Sequence, residues 1–226
     1  ARLLTEVGRA ENIEHGVDGV PGFNNIFFAD DMSLFAQTEQ GLQRLLDITQ
    51  DFETWSGIKL NLKKTVMMPV GGSKPRRNEA GAVFYRGRRV PVLPEDTPCR
   101  YLGFYATANG DFKDTKDRIL QRTKELVESI RHHPFTPEIA VEIFVSQAVG
   151  LLRYSAAIVD WSQQELRDLQ VQWATGYRTA WHLKEQVSPA PFLMAAEFGC
   201  FNLPTPKEVM AATIGAHIER SLLHDD

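Results

Sequence analysis

Apolar positions along the chain change period near residue 110, and that change divides it. In the first part the apolar runs are short and alternate with polar residues. "FNNIFFADDMSLFAQ", residues 23–37, places aromatic strand formers on both sides of Asp30 and Asp31 and reads as strand, tight turn, strand. Residues 11–22, with three glycines and a proline, read as a loop that follows an opening helical pattern. A helix is expected from Thr38, its N-cap, to a stop at Gly57. Leu42, Leu45, Leu46, Phe52 and Trp55 lie near helical spacing on it. "IKLNLKKTVMM" then alternates like a half-buried strand, and "CRYLGFYAT" reads as another, turned by "ANGD". Between them, residues 69–98 hold five prolines and four glycines, a loop-rich connector with a short "AVFYRGRRV" strand inside.

Beyond Asp111 the period is helical. Ile119, Leu120, Thr123, Leu126, Val127 and Ile130 form one face of a first helix. A second follows Pro137 with Ile139, Ile143, Phe144, Leu151, Leu152, Ile158 and Val159. A third follows Ser162 with Leu166, Leu169, Trp173, Tyr177 and Trp181, and a last runs from about Lys207 to Leu223. The expectation is an α+β chain with domains 1–110 and 111–226, antiparallel strands and one helix followed by an all-α part of three or more helices. Helical spacing assigns Trp161, Trp173, Tyr177 and Trp181 to the core rather than to stacking surfaces.

Composition narrows the class. With 43% apolar and 10% aromatic residues in 226, the chain can build a sizeable core. It has no run of about 18 uncharged apolar residues and no secretory signal, so the expectation is a soluble intracellular protein without a membrane. Cys99 and Cys200 are far apart, have no partners at metal-ligand spacing, and are expected to be free thiols. The net charge of −4 hides a basic middle, because residues 74–131 carry +5 and the remainder −9.

Adjacent carboxylates at a hairpin tip suit a hard cation such as Mg²⁺, which takes one or two protein carboxylates together with substrate phosphates. Asp also favours turns for conformational reasons alone, so the pair does not decide by itself. Its neighbours add more. "FADD" between aromatic strands, a helix, "IKLNLKKT", "RYLGF" and then helices, in that order, resemble the later part of a reverse transcriptase of the LINE-like (non-LTR) retrotransposon class. Residues 23–105 carry the motifs, while the helices and "FLMAAEFGCFNLP" follow the pattern only loosely.

The resemblance implies a partial polymerase palm followed by a helical thumb. Asp30 and Asp31 would be two of three metal-binding catalytic carboxylates, holding two Mg²⁺ ions, or Mn²⁺. Phe28 would border the primer end, and Lys64, in "NLKKT", would help protonate the leaving pyrophosphate. Lys63 is the poorer candidate, because strand alternation would point it to the other face. Tyr101, Leu102 and Gly103 would form the primer grip. Lys74, Arg76, Arg77, Arg86, Arg88 and Arg89, with Lys113 and Lys116 on the first thumb helix, would track phosphates. Partners would be an RNA template, a DNA primer, deoxynucleoside triphosphates and the remainder of the polymerase, in the nucleus.

Only 29 residues precede Asp30, and Asp18, in a Gly- and Pro-flanked loop, is the single aspartate among them. The expectation is therefore a piece of a larger enzyme that does not polymerise alone. The alternative is a non-catalytic, domesticated module that binds RNA or proteins.

Overall fold

The computed structural model describes residues 15–17, 20–70, 81–194, 197 and 201–223, with side chains from Phe23 onward. The chain divides into two compact units, Ala1–Asp111 and Phe112–Asp226.

Among its described residues the first unit contains four separate two-stranded antiparallel ladders and one long helix. β1 (His15–Val17) pairs with β2 (Val20–Phe23), so the stretch expected to be loop carries a small hairpin. β3 (Asn25–Phe28) pairs with β4 (Asp31–Leu34), and α1 (Glu39–Ser56) follows. α1 starts and stops where its punctuation dictates. The Thr38 hydroxyl accepts from the Gly41 amide at 3.1 Å, and Gly57, at φ 75°, returns its N–H to the Glu53 carbonyl.

Two small clusters hold this helix. Leu45 and Ile48 pack with Met32, Leu34 and Ala36, seating the β3–β4 hairpin. Leu46 packs with Met67, Val83, Tyr85 and Val90, seating residues 83–92. Polar clips on α1 reinforce the second cluster. Gln43 exchanges two hydrogen bonds with the backbone of Phe84 (2.7 and 2.9 Å), Gln50 accepts from the Arg86 amide, and Glu39 accepts from the Gly81 amide.

The expected "AVFYRGRRV" strand instead folds back as β5 (Phe84–Tyr85) and β6 (Arg88–Arg89), because Arg86 and Gly87 both take positive φ. "CRYLGFYAT" does the same, as β7 (Cys99–Tyr101) and β8 (Phe104–Ala106) around Leu102 (φ 46°) and Gly103 (φ 88°). The alternating "IKLNLKKTVMM" is not a strand. Asn61 captures the chain locally: its side-chain oxygen accepts from the Lys63 amide, and its carbonyl accepts from Lys64 and Thr65. Met67 alone of this stretch forms a β-bridge among the described residues, parallel to Val92.

The second unit is helical: α2 (Lys113–His132), α3 (Pro137–Ser155), α4 (Gln163–Ala180), the short α5 (Ala190–Leu193) and α6 (Pro206–Leu223). A capping box starts α4, with Ser162 and Glu165 each satisfying the other's backbone amide. The core centres on Phe144, edge-on to Trp173 and Tyr177 at 6.4 and 5.4 Å. Gly176 makes room for it, since a Cβ there would lie 2.3 Å from the Phe144 ring. On α3 the buried face carries Ala140, Phe144, Ala148 and Leu152, while Ile139 and Ile158, expected inside, are exposed. Small residues let α3 approach its neighbours closely, which a count of large apolar side chains misses. Trp161, Trp173 and Tyr177 are buried as expected, and Trp181 lies against Phe201 with ring centres 4.7 Å apart and planes tilted by 45°.

Candidate active site

The ladder opposes Phe28 to Asp31 and Phe27 to Met32, so Ala29 and Asp30 are the two-residue loop of the hairpin. Two-residue loops that match strand twist need positive φ at the first central position, and Ala29 takes it (φ 52°). For a residue with a Cβ this conformation costs on the order of 1 kcal/mol, which the ladder and the seating of Met32 and Leu34 offset. Alternation puts Met32 and Leu34 toward α1 and Asp31, with Ser33, on the opposite face. Asp30 and Asp31 are both exposed, beside a Phe28 that is 64% exposed.

Adjacent exposed carboxylates supply the hard oxygen donors that Mg²⁺ and Mn²⁺ accept, and the open tip leaves room for phosphate oxygens. Among the described residues no third Asp, Glu, His or Cys gathers with them into a larger cation-binding group. The residues fit a site of two protein ligands.

Lys64 is exposed on the Asn61 turn, and so is Lys63. The reason given for preferring one over the other fails with the strand. No hydrogen bond or ion pair among the described residues joins Lys64 to Asp30 or Asp31. At the β7–β8 hairpin, Tyr101 is half-buried with its hydroxyl unpartnered, Leu102 is half-buried at the turn, and Gly103 shares with Leu102 the positive φ that closes it.

The basic residues divide into three groups. Lys74, Arg76 and Arg77 lie outside the described residues. Arg88 and Arg89 are exposed on β6, and Lys113 is exposed at the start of α2. Arg86 and Lys116 already have anionic partners: Arg86 pairs with Glu53 at 2.7 Å, and Lys116 reaches both Glu165 oxygens at 2.9 Å while lying 5.8 Å from the centre of the Trp161 ring.

Glu53 is a residue that periodicity missed. It is buried on α1, accepts from the Leu60 amide and holds Arg86, so it ties the helix end to both following segments. Burial pushes its carboxyl up. The neighbouring Tyr85 hydroxyl, the Leu60 amide and the Arg86 guanidinium outweigh burial and hold it below the usual carboxylate range. The same setting raises the Tyr85 phenol, through burial and then Glu53. Its signal in the sequence was a lone Glu on an apolar helix face. Cys99 is a free thiol, pushed up by burial, and Cys200 lies outside the described residues.

Residues 8–106 match the family described as reverse transcriptase (RNA-dependent DNA polymerase). The chain is 38% identical over 90 residues, 38% of its length, to the Retrovirus-related Pol polyprotein from type-2 retrotransposable element R2DM of Drosophila melanogaster. It is 34% identical over 80 residues, 34% of its length, to the Retrovirus-related Pol polyprotein from type-1 retrotransposable element R2 of Popillia japonica. Those alignments span 8% and 17% of the two relatives, so the chain covers a small part of each. Over residues 8–106 the chain is thus similar to reverse transcriptases, and both relatives are Pol polyproteins of retrotransposable elements.

Proposed function

We propose that this chain supplies part of the catalytic palm, and the thumb, of an RNA-directed DNA polymerase that extends a DNA primer on an RNA template. The observation that carries the proposal is the β3–β4 hairpin, whose turn holds the consecutive Asp30 and Asp31 at an exposed tip within the family match. In this reading Asp30 and Asp31 hold divalent cations, Mg²⁺ or Mn²⁺. The bound charge would stabilise the phosphoryl oxygens of an incoming nucleotide and lower the cost of ionising the primer hydroxyl.

The chain's own residues do the rest. Phe28 borders the primer end, the Tyr101–Gly103 turn supports it, and Lys64 presents a proton donor for the departing pyrophosphate. Arg88, Arg89 and Lys113 add salt-dependent attraction for phosphates. Partners are template, primer, nucleotide and the rest of the polymerase, acting where chromosomal DNA supplies primers.

The test is primer extension by a polypeptide that carries this chain within a complete polymerase domain. Asp30→Asn and Asp31→Asn should each abolish extension and leave the circular dichroism spectrum unchanged. Extension at wild-type rate by either variant would overturn the assignment.

A further inference from the structure

The last turn of α1 leaves its largest side chain in water. Trp55 is 82% exposed, and Phe52, one turn earlier, is 46% exposed with its ring 5.7 Å away and tilted 44°. Ile58, just past the Gly57 stop, is 65% exposed. Sequence periodicity assigns Phe52 and Trp55 to the buried face, yet that face ends at Thr49 and Glu53. Exposing a tryptophan to this extent forgoes one of the largest burial gains a side chain can make, and a contiguous apolar patch of this sort marks a contact surface.

Charge says what covers it. From Thr54 to Asn78 the chain has six Lys and Arg and no Asp or Glu. Lys59 and Lys63, the first and second of the six, are exposed and without an ion-pair partner among the described residues. Asp51, one turn before Trp55 on α1, bars an anion from that side, so the favourable direction runs from the aromatic pair toward the lysines. A flat π face beside a cationic, acid-free segment fits a ligand with alternating planar groups and negative charges. An amphipathic protein helix lacks the regular charge. A lipid surface calls for aliphatic residues spread over a wider area. We infer that Trp55, backed by Phe52, is a stacking platform for an unpaired nucleobase, with Lys59 and Lys63 on the adjoining phosphates of a single-stranded segment. The inference rests on the polymerase reading for its choice of nucleic acid as the polyanion.

The test uses the whole chain and a single-stranded oligothymidylate, followed by intrinsic tryptophan emission. Trp161 and Trp173 are buried and Trp181 is half-buried against the Phe201 ring, so Trp55 is the indole most open to quenching. Wild type should be quenched on binding. Trp55→Ala should lose that quenching and weaken affinity about tenfold, while Trp55→Phe keeps most of the affinity. Replacing Lys59 and Lys63 with Gln should flatten the dependence of log affinity on log salt by about 0.7 for each lysine. All three substituted positions are exposed, so unchanged thermal unfolding excludes a folding defect. Wild-type affinity in Trp55→Ala, or saturating binding without quenching, would overturn the platform. So would conversion by Trp55→Ala of a self-associated chain to monomer, which would make the patch a face between copies. A chain that binds a DNA–RNA duplex but shows a silent Trp55 overturns this inference alone. Binding to no nucleic acid would overturn the polymerase reading as well.

Discussion

The helical unit and the strand-bearing unit hold themselves together by different means. In the second unit, long helices bury Phe144, Leu152, Leu169, Trp173 and Tyr177 almost completely around one aromatic centre. Among the described residues of the first, four ladders of short strands form separate sheets, and an isolated hairpin is at best marginally stable in water. Its order comes from α1, which seats one hairpin by Leu45 and Ile48 and clips the next segment by Glu39, Gln43, Gln50 and Glu53. That unit also leaves Phe27, Phe28 and Trp55 in solvent. The helical unit also exposes Val171, Ile218, Leu222 and Leu223, so what separates the two is one aromatic centre against small clusters strung along a single helix. The family match and the candidate chemistry fall in the strand-bearing unit.

The sharpest way to break this contrast is Phe144→Ala. Removing a fully buried ring that meets Trp173 and Tyr177 should cost about 3–5 kcal/mol, read as loss of helical signal in urea unfolding. A cost near zero would show that the helical unit is not organised by that centre.

A smaller effect is expected from Glu53→Ala, about 2 kcal/mol, since it removes an acceptor for the Leu60 amide and the partner of Arg86. It also carries a pH signature. The folded value of Glu53 lies below its ordinary 4.5, so the stability it contributes is present above pH 4.5 and is lost as pH falls through the folded value. The gap between wild type and Glu53→Ala should therefore narrow in acid, and a gap constant to low pH would contradict the assigned ion pair.

The same contrast explains what could be read from the residues alone. The α1 caps, the buried aromatics of the helical unit and the likeness of residues 8–106 to reverse transcriptases were legible, because each rests on local punctuation, on period or on the order of motifs. The turns at Arg86–Gly87 and Leu102–Gly103 were not. A run of strand formers does not announce its reversal when Arg and Leu, rather than Asn or Asp, precede the glycine. "IKLNLKKT" alternated convincingly, but Asn61 offered the backbone nearer hydrogen-bond partners than any strand did. Trp55 followed the helical period and still faces water, since a period states which residues share a face and not whether anything covers it. At the candidate site the turn at the two aspartates was legible from "FADD", whereas the left-handed Ala29 that closes it required the register of the ladder.

The central claim is that the Ala29–Asp30 turn displays two carboxylates as cation ligands. Amide NMR of the whole chain with added Mn²⁺ tests it most directly, because a bound paramagnetic ion broadens only nearby signals. Broadening should begin at Ala29, Asp30 and Asp31, be displaced by Mg²⁺, and disappear in the Asp30→Asn, Asp31→Asn double variant. Signals at the tip that stay sharp while other acidic positions broaden would contradict the assignment.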